Sequence, residues 1–580
     1  MTPSQIIVLA TPVFLLLMAA EFAWGHFKGR NTYRVNDAIS SVSLGMLSQI
    51  SAVFTGLFRI GIYTAIYSSV ALFPDAEIWN HWYGWLLALV FYDFCYYWLH
   101  RAGHESAVFW AAHVVHHQSQ DYNLSTALRQ TSSGALLGWI FYVPMAVAGV
   151  PPLLFGIVAL VDLLYQFWVH TEHVPKLGWF DRWFCSPSNH RVHHAVNDRY
   201  LDRNYGGILV VWDRIFGSFK EEDEKCVYGT RSPLNSWDPL WANTEVYWSL
   251  AKDSWHAKHW GDKLRIWYKP PGWRPPELAE RFPRQAFDIR QAATYHPPVS
   301  KAVLWLGAAQ FAVLLLGVAA FLWEAEAMPP SEGAVWLLAL CSGLWCVGGL
   351  LQGRLDVLQV LLIESAVGAT TTAALGLMEL HYILKPLTMA IAIILIAARA
   401  RGSWTDSRFA LYLLAALAAS LAGDVLLMVP GYFIPGLVSF LIAHLFYIPL
   451  FKQGVAWFPN RRALVITLGV GAAMYAFLWS GLEPLLKGAV AAYVLVIALM
   501  AGQAIGRATI LKDRASLAVA TGACVFMVSD ALLATDRFVQ ALPMAQLWVL
   551  ATYYAAQILI LCNAKPVIAK HLESEASNAV

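Results

Sequence analysis

The chain has 580 residues, of which 58% are hydrophobic and only 13% are charged, and its mean hydropathy is +0.50. Soluble domains usually carry about 25% charged residues, so this composition argues against a soluble enzyme and indicates an integral membrane protein. The formal net charge of +2 gives no basis for predicting a nucleic-acid partner.

Apolar stretches long enough to cross a bilayer, about 20 residues each, recur along the whole chain. The first lacks a basic leading segment and a small-residue cleavage site, so we predict a retained helix rather than a signal peptide. Prolines at 151 and 152 should divide the stretch 134–169 into two helices. The predicted spans are 5–26, 38–72, 83–100, 134–150, 152–169, 303–323, 334–352, 357–379, 384–399, 408–429, 433–451, 463–480, 487–506, 516–533 and 546–563.

The distribution of spans predicts an all-α polytopic protein with two membrane domains. The first, 1–300, combines few spans with a large polar segment that would form a cytosolic cap. Residues 301–354 are predicted to be linking transmembrane helices, and 355–565 a second transmembrane domain. Together the last two segments make a region of roughly ten spans.

Basic loops fall on one side of the bilayer if 38–72 counts as a single crossing. Lysine and arginine mark cytoplasmic loops, so we predict an outer amino terminus and an inner carboxyl terminus. The histidine-rich segments then face the cytoplasm, most simply in a cytoplasmic (inner) membrane.

Histidines are concentrated in one part of the sequence. Residues that are four positions apart on a helix lie on the same face. The HxxxH and HxxHH spacings therefore let several imidazoles reach one ion. Ten of the eighteen histidines fall in this part of the chain and are the predicted metal ligands: His100, His104, His113, His116, His117, His170, His173, His190, His193 and His194.

Imidazole ligands without cysteine suit zinc, copper, iron or nickel. A structural zinc takes four ligands, so ten histidines indicate two metals rather than one. Nearby carboxylates are candidates for orienting the ligand N–H groups. These are Glu105, Asp121, Glu172 and Asp198, and we add Asn204 as a candidate hydrogen-bond partner of a ligand histidine.

Three segments within residues 80–225 carry a family resemblance: "DFCYYWLHRAGH", "WAAHVVHHQSQDYNLSTALRQ" and "SPSNHRVHHAVNDRYLDRNYGGILVVWDRIFGSF". They resemble the fatty acid hydroxylase (sterol desaturase) superfamily, whose eight-histidine signature is complete here. The resemblance implies a non-haem di-iron oxygenase that uses two iron ions and dioxygen. It also implies that His170 and His173 complete the metal shell.

Within that superfamily, "ALRQ", "KPPGWRPP" and the long carboxyl-terminal region look most like the alkylglycerol monooxygenases. The resemblance implies hydroxylation beside the ether oxygen of an alkylglycerol, release of a fatty aldehyde, and tetrahydrobiopterin as reductant. "KPPGW" departs from the family's GPGW-like segment, so another electron donor stays open, as does the oligomeric state. The alternatives are a sterol, fatty acid, carotenoid or sphingolipid hydroxylase or desaturase, and a non-catalytic metal-dependent transporter or sensor.

The second membrane domain holds charged residues inside its spans, which usually indicates function. Lys385, Asp424 and Asp530 fall near the same ends of their helices, and His444 also lies in a span. Paired carboxylates can perform general acid–base hydrolysis, so Asp424 and Asp530 are the predicted catalytic residues. A structural ion-pair network is the alternative.

Five segments of this domain, "KPLTM", "LAGDVLLM", "LIAHLFYI", "FMVSDALLA" and "TYYAAQILI", resemble the lysoplasmalogenase-like (YhhN-type) membrane family. The resemblance covers about residues 355–565. It implies hydrolysis of a vinyl-ether bond to an aldehyde, and Asp424 and Asp530 match the acidic positions of the family.

Overall fold

The computed structural model describes residues 2–74, 76–403 and 407–566. All regular elements in this part of the chain are helical, apart from two isolated β-bridges. Twelve of the described helices are long and apolar enough to cross a membrane. These findings confirm the prediction of an all-α, polytopic integral membrane protein. The chain forms two compact units, Met1–Arg354 and Leu355–Val580.

Sixteen helices make up the described part of the amino-terminal unit. They are α1 (Pro3–Phe27), α2 (Val35–Gly56), α3 (Ile62–Val70), α4 (Trp82–Glu105), α5 (Ala107–His117), α6 (Leu124–Ala127), α7 (Gly134–Gly138), α8 (Val143–Val147), α9 (Pro152–Trp168), α10 (Pro187–His194), α11 (Val211–Ile215), α12 (Pro239–His256), α13 (Trp260–Tyr268), α14 (Pro276–Arg281), α15 (Lys301–Glu324) and α16 (Pro330–Leu351).

Two predicted spans of this unit are irregular. The long stretch 38–72 contains a π-helical turn, Leu57–Gly61, between α2 and α3. The stretch 134–150 is not a continuous helix, because a 3-10 turn, Trp139–Tyr142, joins α7 to α8. Helix α9 begins at Pro152, where the missing N–H removes a donor that would have no intrahelical partner.

Helices α15 and α16, predicted as a link between domains, belong by their contacts to the amino-terminal unit. Val42, Met46 and Ile50 of α2 pack in one apolar cluster with Phe321 of α15 and Leu344 of α16. Burial of these side chains holds the pair of helices against α2, so the link is part of the first unit's core.

The polar segment that follows α9 packs against α5, the helix that carries three of the predicted ligands. Ala107 and Ala111 of α5 contact Leu250 of α12 and Ile266 of α13. The small alanine side chains let the helices approach closely. The cap therefore holds α5 in place from the side opposite its histidines.

The carboxyl-terminal unit contains eight described helices. They are α17 (Val357–Ala374), α18 (Met378–Ser403), α19 (Ser407–Met428), α20 (Phe433–Lys452), α21 (Arg461–Leu478), α22 (Pro484–Leu511), α23 (Arg514–Phe538) and α24 (Ala545–Asn563). Helix α17 packs against α24, so the first and last helices of the unit are neighbours. Fully buried alanines at Ala416, Ala501, Ala523 and Ala556 permit the close helix contacts common in membranes.

Candidate metal centre and membrane cavity

Nine of the ten predicted ligand histidines come together in two groups. In each group, one nitrogen from every imidazole lies within 4.8 Å of the corresponding nitrogens of the others. The first cluster consists of His100, His104, His113, His117 and His193, and the second cluster consists of His116, His170, His190 and His194. The rings of His117 and His194 stack at 4.4 Å between centroids, so the two clusters adjoin.

The helices divide their histidines between the clusters according to helical spacing. His100 and His104 of α4 both face the first cluster, because residues four apart share a face. Helix α5 contributes His113 and His117 to the first cluster and His116 to the second. Helix α10 contributes His193 to the first cluster and His190 and His194 to the second. Each of these two helices therefore contributes to both clusters.

Backbone carbonyls fix the orientation of several ligand rings in the first cluster. His100 Nδ1 lies 2.8 Å from the Tyr205 carbonyl oxygen, and His193 Nδ1 lies 3.0 Å from that of Arg203. A carbonyl oxygen can only accept, so both Nδ1 atoms carry the proton, and each Nε2 presents a lone pair. His100 Nε2 lies 3.1 Å from His113 Nε2, and His117 Nε2 lies 3.0 Å from the same atom.

The second cluster is oriented in the same way. His116 Nδ1 donates to the Arg129 carbonyl at 2.9 Å, and His170 Nδ1 donates to the Gln166 carbonyl at 2.7 Å. Their Nε2 atoms therefore both present lone pairs, yet they lie only 3.1 Å apart. Two acceptors at this distance repel unless a cation lies between them, and the spacing suits ligands about 2.1 Å from one ion. The donor set thus fits a metal at each cluster.

Burial prepares these imidazoles to act as ligands. It lowers the pKa of His190, His193 and His194 well below the ordinary imidazole value, and neighbouring histidines lower it further. The rings are therefore neutral at pH 7, the form that binds a metal. His113 is the partly exposed member of the nine, and the other eight are buried.

The loop that orients His100 and His193 is held by a buried carboxylate. Asp213 accepts hydrogen bonds from the Tyr205 N–H at 2.7 Å, the Gly206 N–H at 2.8 Å and the Ser218 hydroxyl at 2.7 Å. A carboxylate with three donors is rigidly placed. Asp213 thereby sets the position of the carbonyl that accepts from His100.

Gly207 is required in the same loop by close approach. A Cβ at this position would lie 2.8 Å from Asp162 Oδ1 and 3.0 Å from Asp93 Oδ1. Asp93 in turn accepts from the backbone N–H groups of Ile208 and Leu209, at 2.7 and 3.1 Å. The loop is thus tied to α4, which also carries His100 and His104.

An ion pair anchors helix α10. Arg191 donates to both carboxylate oxygens of Glu222, at 2.8 and 2.7 Å, and also to the carbonyls of Thr171 and Val174. Burial by itself would raise the pKa of Glu222, but the hydrogen bonds and charge of Arg191 outweigh it and lower that pKa. Glu222 is therefore ionised at pH 7. The bidentate pair fixes α10 relative to the segment that carries Glu222, and the two carbonyl hydrogen bonds fix it relative to the segment after His170.

His173 does not join either cluster. Its Nε2 is buried without a hydrogen-bond partner, and a Cβ built on Gly25 would lie 3.1 Å from it. The prediction that His173 completes the metal shell therefore lacks geometric support, whereas its companion His170 lies in the second cluster.

The predicted orienting side chains bond elsewhere. Glu105 pairs with Arg101 and Asp121 with Arg34, each at 2.9 Å, and Asp198 pairs with Arg231. Glu172 lies beside Tyr228. Asn204 donates to the carbonyls of Asn189 and Lys220 instead of bonding a histidine. Asp202 is the carboxylate near a ligand, 3.5 Å from His104 Nδ1, and the Cys185 thiol lies 4.0 Å from His190 Nδ1. The groups that orient four further ligands are carbonyls, which have no signature in the sequence; these ligands are His100, His116, His170 and His193.

The carboxyl-terminal unit brings its predicted charges to one cavity of 740 Å³. Asp424 pairs with Lys385 at 3.4 Å and accepts from the Tyr553 hydroxyl at 2.7 Å. Asp530 accepts from the Tyr493 hydroxyl at 2.6 Å. Both aspartates line the cavity, as do both tyrosines and the lysine.

A histidine supports the second of these carboxylates. His444 Nε2 lies 3.0 Å from the Tyr493 hydroxyl and 3.4 Å from Asp530 Oδ2, and the ring is completely buried. The two carboxylates therefore have different partners: a lysine and a phenol for Asp424, and a phenol and an imidazole for Asp530. Neither tyrosine was predicted as a site residue. Tyr493 lies in an ordinary apolar run, and Tyr553 lies in the family-like segment "TYYAAQILI" but carries no charge that would single it out.

Comparisons with known proteins agree with this division. Residues 85–218 match the fatty acid hydroxylase family, and residues 380–564 match the YhhN family. Alkylglycerol monooxygenase from Homo sapiens is 39% identical over 280 residues, which cover 47% of this chain and 62% of that protein. Alkylglycerol monooxygenase from Xenopus tropicalis is 35% identical over 314 residues, which cover 54% of this chain and 69% of that protein.

The chain belongs to the alkylglycerol monooxygenase family. It spans about three fifths of the length of the human family member. The region that matches the fatty acid hydroxylase family, residues 85–218, includes all nine clustered histidines. This match and the two clusters together indicate an iron site.

A different relative matches the carboxyl-terminal unit. Human lysoplasmalogenase TMEM86B is 36% identical over 149 residues, which cover 26% of this chain and 61% of that protein. No solved structure matches the chain.

Proposed function

We propose that this chain is a membrane monooxygenase that cleaves the ether bond of alkylglycerols to give a fatty aldehyde. The observation that carries the proposal is the convergence of imidazole nitrogens in two adjoining clusters whose lone pairs face one another at about 3.1 Å. Family membership supplies the substrate class: the relatives are alkylglycerol monooxygenases.

Two irons are the metals that this donor set would hold, one at each histidine cluster. Imidazole suits iron, and redox-active iron would supply the activation of dioxygen. The residues of the chain keep the ligand nitrogens neutral, through burial, and aimed, through carbonyls such as those of Tyr205 and Arg129.

Tyr205 provides a proton donor next to the first cluster. Its ring centroid lies 5.4 Å from that of His104, and its buried hydroxyl has no hydrogen-bond partner among the described residues. We propose that this hydroxyl donates to oxygen during turnover.

The finer predictions belong to the same proposal. Tetrahydrobiopterin is proposed as the reductant, and the cytoplasmic face of the inner membrane as the location of the iron centre. Basic loops on the side of the histidine segments support the orientation.

The test is product analysis with the full purified chain, loaded with ferrous iron and given 1-O-alkylglycerol under isotopically labelled dioxygen. We expect fatty aldehyde and glycerol, with aldehyde formation dependent on both dioxygen and tetrahydrobiopterin. Formation of a stable hydroxylated lipid from a sterol or fatty acid, with alkylglycerol left intact, would contradict the proposed substrate and favour another member of the hydroxylase superfamily.

A second activity is proposed for the carboxyl-terminal unit, because two carboxylates from different helices, Asp424 of α19 and Asp530 of α23, line one cavity. We propose that it hydrolyses the vinyl-ether bond of a lysoplasmalogen, the activity named for the TMEM86B relative. Asp424 lies 3.4 Å from the Lys385 ammonium, where it could orient water or stabilise developing positive charge. Asp530, supported by Tyr493 and His444, would deliver the proton to the vinyl carbon.

This activity has a distinct signature. We expect iron-free protein, kept without dioxygen, to release aldehyde from a lysoplasmalogen but not from an alkylglycerol. Absence of aldehyde under these conditions, with a folded protein, would leave the two aspartates as a structural ion-pair network.

A further inference from the structure

We infer that Arg537 binds the phosphate of a single-chain ether phospholipid whose reacting bond lies between Asp424 and Asp530. The inference rests on the hydrolase activity proposed above for the carboxyl-terminal unit and names the group that would recognise its substrate. Arg537 lines the same 740 Å³ cavity as the two aspartates.

The cavity opens at one end of the helical bundle. Its lining includes the first residue of α18, Met378, the last residue of α19, Met428, and the first residue of α20, Phe433. Consecutive antiparallel helices place these residues at the same end. Arg537, next to the last residue of α23, is exposed there, so it marks the mouth of the cavity.

The guanidinium of Arg537 is available for a ligand. Its described contact is with the ring of Phe433, 5.4 Å from the centroid, and it has no ion pair or side-chain hydrogen bond among the described residues. The neighbouring carboxylate is already engaged, because Asp536 accepts from the Leu542 N–H at 2.8 Å. Lys385 also lines the cavity, but its ammonium group is paired with Asp424. An unpaired guanidinium beside a lipid-sized cavity is suited to bidentate phosphate binding.

The distance along α23 fits a phosphoglycerol head group. Arg537 follows Asp530 by seven residues, which is two helical turns and about 10 Å of axial rise. Seven residues also return close to the same helix face, so both side chains face the cavity. A lipid with its phosphate at Arg537 would therefore place its vinyl-ether bond near Asp530.

The deeper part of the cavity suits one hydrocarbon chain. Its walls there include Val494, Ile497 and Met527, all apolar and buried or half-buried. The volume lies within the range of about 300–1,000 Å³ usual for small-molecule sites, which favours a single-chain lipid over a two-chain phospholipid. The polar end at the mouth and the apolar depth together orient the substrate with its head group outward.

The first experiment compares two substrates in the full chain: a 1-O-alkenyl lysophospholipid and the matching 1-O-alkenylglycerol, which lacks phosphate. We expect Arg537→Gln to lower kcat/KM for the phospholipid about tenfold to a hundredfold, mainly through KM, and to leave the alkenylglycerol unchanged. Arg537→Lys should restore part of the loss. Equal effects on both substrates, or none on either, would overturn the inference.

Lys487→Gln is the matched control. Lys487 lies near the start of α22, at the same end of the bundle, but it packs over the ring of Trp479 at 4.0 Å and does not line the cavity. Its removal changes the surface charge at that end without changing the proposed site, so the substrate preference should stay as in the wild type.

A binding measurement separates this inference from the hydrolase proposal. The non-hydrolysable 1-O-alkyl lysophospholipid should raise the thermal unfolding temperature of the wild type more than 1-O-alkylglycerol does, and Arg537→Gln should abolish the difference. If wild-type protein shows this difference but hydrolyses nothing, the catalytic proposal fails and the phosphate site stands. If neither ligand distinguishes wild type from the variant, the phosphate site fails.

Discussion

The two units accommodate polar groups inside a membrane protein in opposite ways. In the amino-terminal unit, nine histidines pack ring against ring, with lone pairs facing one another at about 3 Å. In the carboxyl-terminal unit, each carboxylate is already satisfied by its own partners, and the space between the helices is a cavity of 740 Å³. A site whose ligand atoms repel one another is complete only with a cation, whereas a site of satisfied charges around open space is shaped for a substrate. The difference indicates which kind of partner each unit binds.

Substitution of a ligand histidine in the amino-terminal unit should cause the greatest loss of activity. Replacing His116 or His193 with alanine removes a ligand from one cluster and should abolish oxygen-dependent turnover, together with much of the bound iron. The measurements are iron content by mass spectrometry and aldehyde formation. His173→Ala is the matched control, since that ring lies outside both clusters and the variant should keep its iron. Loss of iron in His173→Ala equal to that in His116→Ala would show that the clusters do not define the ligand set.

The next largest loss of activity is expected when a carboxylate of the carboxyl-terminal cavity is replaced. Asp424→Asn and Asp530→Asn keep the shape of the cavity but remove the proton-transferring groups, so vinyl-ether hydrolysis should fall about 10²- to 10⁴-fold. Iron content and alkylglycerol cleavage should be unchanged, which makes each variant its own folding control. Retention of hydrolysis in both variants would contradict a catalytic role for the pair.

A smaller loss, in iron affinity, tests whether backbone carbonyls orient the iron ligands. Asp213→Ala removes the acceptor that holds the Tyr205 and Gly206 N–H groups, so the carbonyl facing His100 should shift. Loss of such supporting groups typically lowers metal affinity about 10- to 100-fold. Iron titration of the purified variant measures this loss, and Glu105→Gln, a substitution of a carboxylate that pairs with Arg101 instead, should bind iron as the wild type does.

The smallest effect concerns the partner of one cavity carboxylate. Tyr493→Phe removes the hydroxyl that donates to Asp530 at 2.6 Å, and we expect vinyl-ether hydrolysis to fall about tenfold with iron binding unaffected. An unchanged rate would assign Tyr493 to packing alone.

Much of the architecture could be predicted from the sequence. The apolar runs after residue 300 correspond to ten helices, because bilayer thickness sets a length that composition alone reveals. The stretches 38–72 and 134–150 were harder to predict. Glycine or proline stands beside each turn, Leu57–Gly61 and Trp139–Tyr142, but such a residue in an apolar run does not by itself show that the helix is interrupted.

The histidine spacings indicated which residues could meet, but not how they divide. That α5 sends His116 to one cluster and His113 to the other follows from the rotation of the helix against α4 and α10, which spacing does not specify. The groups that orient the ligands could not be predicted for a different reason. The predicted groups were carboxylates such as Asp121, whereas His100 and His116 bond backbone carbonyls, which every residue has. In the cavity, the charged pair was predictable because charge in a span is costly, but Tyr493 was not.

The reciprocal arrangement of α5 and α10 has a consequence for assembly of the iron centre. Because each helix contributes to both clusters, filling one cluster fixes the rotation of both helices and so prepares the ligands of the other. A second ion would then bind to rings whose freedom has already been lost, so we expect iron loading to be cooperative. Protein with a single ion should therefore be scarce in an iron titration, with molecules tending to be either empty or fully loaded.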